Sequence, residues 1–172
     1  MNKNQNLSTR EQLQQKFNTS RMNLLLMMVL TVVNVVLFFT GSDSMMLFSA
    51  SIPYFAVILG ATIEIPGMST ICYAIAALTI LGYLIFWLLS KKRYGWLIPA
   101  LVLFIMDTLA MGGMYIWFAD FSGILDILMH VWVLYYLFVG ISSGKKLKNL
   151  PAEENAVVEE VRQPVDPEHW AE

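Results

Sequence analysis

Leu88-Leu89-Ser90-Lys91-Lys92-Arg93-Tyr94-Gly95-Trp96 sets three consecutive cations between two long apolar segments, 70–90 and 94–117. Two further basic clusters punctuate the chain. Lys3, Arg10, Lys16 and Arg21 precede an apolar stretch at 22–40, and Lys145, Lys146 and Lys148 follow another at 121–140. Cytoplasmic flanks of membrane spans collect Lys and Arg, so the three clusters belong on one side of a bilayer. A chain that returns to that side twice crosses an even number of times. The predicted fold is all-α, a polytopic transmembrane four-helix bundle with both termini cytoplasmic.

Composition supports that class. Hydrophobic residues make up 57% and charged residues 14%, against roughly half and a quarter in soluble domains. Each of the four segments supplies the twenty or so apolar residues that a hydrocarbon core about 30 Å thick requires. The 22–40 segment exceeds the roughly 7–15 residues of a secretory h-region, so it reads as a retained helix. The formal net charge of −2 conceals a basic body and an acidic tail that carries Glu153, Glu154, Glu159, Glu160, Asp166, Glu168 and Glu172. The single Cys72 lies inside a span, forms no intrachain disulfide and reads as a small packing residue.

Segment 44–63 is also apolar, but a crossing there would put Lys91–Arg93 on the opposite side from the other two clusters. Pro53 lies mid-segment, just after Ser49 and Ser51, and proline disfavours helix in the residue before it. The segment reads as re-entrant or interfacial on the outer side, covered by other helices. Asp43, Glu64 and Asp120 fall on that same outer side. Trp87 and Trp96 flank the inner interface, while Tyr115, Trp117, Phe118 and Phe121 mark the outer one, as an aromatic belt does.

Residues 1–21 form a cytoplasmic amphipathic N-terminal segment. Ser8-Thr9-Arg10-Glu11 has the form of a capping box, and Leu13 and Phe17 share a face one turn apart. A short helix running along the membrane before turning into the first span is expected. Asn6-Leu7-Ser8 and Asn18-Thr19-Ser20 match the glycosylation pattern but lie on the cytoplasmic side. Residues 145–172 comprise a basic stub and a cytoplasmic tail whose composition predicts disorder, with a transient helix over 152–161. His169-Trp170 offers a docking motif there. Lys145, Lys146 and Lys148, like Lys91, Lys92 and Arg93, either fix topology or also bind anionic lipid headgroups at about 1 kcal/mol per charge.

Ionisable groups inside the bilayer are site candidates because burying charge there costs several kcal/mol. The chain has Asp107 in the third span, and Asp126 and His130 four residues apart on one face of the fourth. The helical rise places Asp107 about 10 Å below the outer surface, Asp126 about 7 Å and His130 about 13 Å. Asn34 and Thr79 come out at about 12–14 Å, so each span contributes a polar group to one outer-half layer. Asp107, Ala110 and Gly113 form a small-residue face suited to close packing. The layer can be structural, locking the bundle through hydrogen bonds. It can be an ion or proton site, since His beside a carboxylate titrates near neutral pH. As a metal site it has only three strong donors and no thiolate. His130 is the only histidine in a span, which excludes a bis-histidine haem within one monomer. No cofactor is expected, and the basic residues are explained by topology rather than by nucleic acid.

In size and span count the chain looks like the lipoprotein signal peptidases, four-span aspartyl enzymes. Their Asn-Leu-x-Asp-Arg and Phe-Asn-x-Ala-Asp motifs are replaced here by Phe104-Ile-Met-Asp107-Thr108 and Gly123-Ile-Leu-Asp126-Ile127. The latter also departs from the Gly-x-Gly-Asp pattern of other intramembrane proteases. Phe48-Ser-Ala-Ser-Ile-Pro-Tyr54, Gly95-Trp-Leu-Ile98 with Asp107-Thr-Leu-Ala-Met111, and Asp126-Ile-Leu-Met-His130-Val-Trp132 together resemble an uncharacterised group of small four-span integral membrane proteins of Gram-positive anaerobic bacteria. That resemblance, over most of 22–144, implies a bacterial plasma membrane and no particular activity. Two functional readings follow from the residues: an accessory or scaffold component beside a larger membrane partner, or an autonomous ion- or proton-coupled transporter or sensor acting as a homo-oligomer. An intramembrane aspartyl-type hydrolase is the remote third.

Overall fold

The computed structural model describes residues 8–42, 44, 46–117 and 123–150. Asp43, Phe118, Asp120, Phe121 and the acidic tail, with the helix expected over 152–161 and with His169-Trp170, lie outside the described residues. Among the described residues there are five α-helices: α1 (Thr9–Phe39), α2 (Ser51–Thr62), α3 (Met68–Ser90), α4 (Leu97–Trp117) and α5 (Ile124–Asn149). Among the described residues there is no strand. α1, α3, α4 with its leading 3₁₀ turn (Tyr94–Trp96), and α5 are each long and apolar enough to cross a membrane. α2, with 12 residues, is about 18 Å long and falls short of a 30 Å core.

The capping box forms as expected: Ser8 Oγ accepts from Glu11 N and Glu11 Oε2 accepts from Ser8 N. The expected turn between a surface helix and the first span is absent. α1 runs unbroken for 31 residues, about 46 Å, because no Gly or Pro interrupts residues 9–39. Its first three turns are continuous with the rest of the helix and form no separate element.

At the basic end α1 packs closely on α5. Gly140 and Gly144, one turn apart, make the approach possible. A Cβ on Gly140 would overlap the Ser20 side chain, and one on Gly144 would overlap Tyr94 and come within 3.2 Å of the Phe17 ring. Ser20 Oγ donates to the Tyr136 carbonyl across the same seam. Small residues at such positions let helix backbones meet where lipid offers no hydrophobic drive. Arg21 spans from α1 to the end of α3, donating to Ser90 Oγ (2.8 Å) and the Trp87 carbonyl (3.2 Å), with its guanidinium 5.5 Å from the Trp87 ring centroid. α3 has no basic residue in its own last turn, so a cation from α1 complements its C-terminal dipole.

α2 lies mainly against α3. Gly60 permits it: a Cβ there would come 2.9 Å from the Cys72 Cβ and 3.0 Å from the Tyr73 ring. Cys72 is buried as a small packing residue. The core, including Leu24, Met27, Tyr83, Leu97, Phe104, Val133 and Leu137, runs between α1, α3, α4 and α5. The expected small-residue face on α4 does not pack inward: Asp107 is buried, while Ala110 and Gly113 are exposed.

Gly140→Leu overfills the α1–α5 seam and should lower stability by about 1–3 kcal/mol, read as a fall in melting temperature in detergent. Gly112→Leu, where nothing lies within 4 Å of the new Cβ, should leave the melting temperature unchanged.

Candidate functional site: a buried helix start held by Asp107

Between α1 and α2 the chain turns back into the bundle and begins a helix there. A helix start leaves four backbone N–H groups without an intrahelical partner, and the hydrocarbon region supplies no water to satisfy them. At α2 each is accounted for. The N-cap Ala50 N–H donates to Thr31 Oγ1 (2.8 Å). Ser51 N–H donates to Asp107 Oδ2 (2.9 Å) and Ile52 N–H to Asp107 Oδ1 (2.6 Å). The next residue, Pro53, has no N–H. The carboxylate also faces the positive end of the α2 dipole. Ala50, Ser51 and Asp107 are buried.

The loop that leads into this start is held by Asn34 of α1. Its side-chain amide donates to the Met46 carbonyl and to Ser49 Oγ, both at 2.8 Å, and accepts from Met46 N (2.7 Å). Between those anchors Phe48 adopts φ +67°, a left-handed conformation that costs a bulky residue about 1–3 kcal/mol and persists only where its neighbours are fixed. Thr31 and Asn34 are three apart, so one face of α1 carries both supports.

His130 lies on the other side of Asp107. Its Nε2 is 3.1 Å from Asp107 Oδ2 and 3.4 Å from Ser51 Oγ, and its Nδ1 is 2.9 Å from the Asp126 carbonyl. A carbonyl only accepts, so Nδ1 carries a proton. Asp107 also accepts the two backbone N–H bonds of the α2 start. Phe104 stacks on the ring at 5.0 Å and 10°. Asp126 Oδ1 lies 3.6 Å from Nδ1 and has no hydrogen-bond partner, while Oδ2 accepts from Tyr115 Oη at 3.4 Å. Gly123 makes room for that ring, since a Cβ there would overlap it.

Of the five residues singled out from depth, Asp107, Asp126 and His130 meet directly, and Asn34 joins through the loop before α2. Thr79 does not join. Its hydroxyl turns back to the Ile75 carbonyl at 2.8 Å, because helical depth sets a residue's level but not its rotation about the axis. α3 instead sends in Tyr83, buried edge-on to Phe104 at 6.4 Å with its hydroxyl unpartnered. Thr31, Ser49 and Ser51 were not recognisable as partners, since hydroxyl residues in spans commonly bond to their own helix. The cations form a separate group at the opposite, basic end: Lys91, Lys92, Arg93 and Lys148 line one groove there, and Lys145 and Lys146 are exposed. Among the described residues no three His, Cys, Asp or Glu side chains are placed to hold a metal ion. The imidazole lies between the two carboxyl groups, one at each ring nitrogen, so they do not face each other as a proton-sharing aspartyl dyad does.

Asp107→Ala strands Ser51 N–H, Ile52 N–H and His130, at about 1–3 kcal/mol for each unsatisfied group. It should cost the most stability of any variant in the cluster, with Asp107→Asn milder because one acceptor remains. Thr31→Val should cost about 1–3 kcal/mol for the single stranded Ala50 N–H, and Thr79→Val close to nothing. Thermal unfolding in detergent orders the four.

The chain matches no protein-family model, no curated protein and no solved structure.

Proposed function

We propose that this multi-pass membrane protein is an accessory or scaffold component of a membrane complex, and that its intramembrane charges serve structure. The carrying observation is that both oxygens of Asp107 are occupied by the bundle's own donors, Ser51 N, Ile52 N and His130. A carboxylate committed in this way holds a helix start and is not free to load and release an ion. The outer face of α4 supports a partner. Val102, Met106, Leu109, Ile116 and Trp117 are exposed along it, and no atom lies within 4 Å of a Cβ placed on Gly112 or Gly113. Small residues on a bare apolar helix face let a second transmembrane helix come close. The orientation proposed is a bacterial plasma (inner) membrane with both termini cytoplasmic, on the charge bias of the loops.

One observation favours the alternative of a proton-coupled transporter or sensor. Asp126 Oδ1 is buried, unpartnered and 3.6 Å from an imidazole nitrogen, a position from which a carboxyl can exchange a proton with His130.

Affinity purification from native membranes in mild detergent should recover a larger membrane protein in stoichiometric amount. Gly113→Leu should reduce that recovery without lowering the melting temperature, because the substitution enters open space. Recovery of the chain alone, together with a pH-dependent transport or signalling response abolished by Asp126→Asn, would replace the scaffold reading with the proton-coupled one. A reporter fused after Glu172 should read cytoplasmic, and a reading on the other side would overturn the orientation.

A further inference from the structure

At the basic end of the bundle a groove of about 810 Å³ opens between α1, the α3–α4 turn and α5. Four cations line it: Lys91, Lys92 and Arg93 from the turn, and Lys148 from α5, which is more than fifty residues away in sequence. All four are exposed, and among the described residues no carboxylate lines the groove. Phe17 of α1 and Tyr94 lie within the same lining. They meet there because Gly144 has no Cβ to keep Tyr94 off α5. Lys145 and Lys146 do not line it, although they adjoin Lys148 in sequence. Topology alone requires cations near this interface; it does not require that a turn and a distant helix direct four of them into one concavity.

We propose that this groove is a binding site for the headgroup of an anionic phospholipid. The level is that of the headgroups. Trp96, stacked on Phe86 at 6.3 Å, marks the interface where amphipathic rings settle. A phosphodiester or phosphomonoester presents several acceptor oxygens to converging ammonium and guanidinium donors. The aromatic walls suit the glycerol and first acyl carbons. Basic pockets between transmembrane helices hold such headgroups, at about 1 kcal/mol for each Lys or Arg near the surface. The site is independent of the polar cluster at Asp107 and of any partner on α4.

The test is native mass spectrometry of the full-length protein released from detergent micelles and titrated with short-chain phosphatidylglycerol, phosphatidylcholine or inorganic phosphate. Phosphatidylglycerol should bind at least tenfold more tightly than phosphatidylcholine. Lys92→Gln with Lys148→Gln should weaken it about tenfold or more, with the lipid-free melting temperature unchanged. Lys145→Gln with Lys146→Gln removes the same charge outside the groove and should change the affinity less than twofold. If the first pair fails to fold, Lys91→Gln with Lys148→Gln reads the same groove. Equal weakening by the outside pair would reduce the effect to diffuse surface charge and overturn the site. Equal binding of phosphatidylcholine, or saturation by inorganic phosphate without lipid retention, would overturn the lipid assignment.

Discussion

A helix that begins inside a membrane exposes backbone N–H groups where water cannot reach them, and each one left bare costs several kcal/mol. α2 begins in such a place, and much of the polar chemistry of this protein is arranged around that beginning. Thr31 and Asp107 take up the three N–H donors of that start, and Pro53 at the fourth position has none. Asn34 supports the loop that delivers the chain to that point, including the left-handed Phe48. His130 lies 3.1 Å from Asp107, and Phe104 covers its ring. Remove the buried helix start and these residues lose their common purpose.

The glycines show the complementary constraint, close approach. Gly140 and Gly144 bring α1 onto α5 at the basic end, Gly60 brings α2 onto α3, and Gly123 admits Tyr115 beside Asp126. Apolar helices gain nothing from association in lipid through the hydrophobic effect alone, so contact geometry and polar bonds must hold them. The two ends of the bundle use different means. Glycine seams and Arg21 hold the basic end, and the hydrogen-bonded loop and start of α2 hold the other.

Asp126 stands apart from this economy. It is buried too, yet one oxygen has no hydrogen-bond partner and the other has a single long bond. Its place in the first turn of α5 offers some compensation from the helix dipole. Bundle stability explains Asp107 fully and Asp126 only in part, which is why the proton-coupled alternative attaches to Asp126.

Membership of the all-α membrane class, the count of four helices long and apolar enough to span, and the gathering of the cations at one end were legible in the sequence. They depend on local quantities: segment length against bilayer thickness and charge at segment ends. The capping box at Ser8 and Glu11 was legible for the same reason, since it involves residues three apart. Axial depth was legible too, because helical rise is constant, and it brought Asp107, Asp126 and His130 to one level. Rotation about each helix axis was not, so Thr79 seemed to belong to the cluster and Ala110 and Gly113 seemed to face inward. Only the tertiary structure decided that Asp107 caps another helix, that Thr31 and Ser51 complete the site, and that α1 runs unbroken from Thr9 to Phe39. Those outcomes depend on which backbone donors the fold leaves unpaired, and no local pattern in the chain records that.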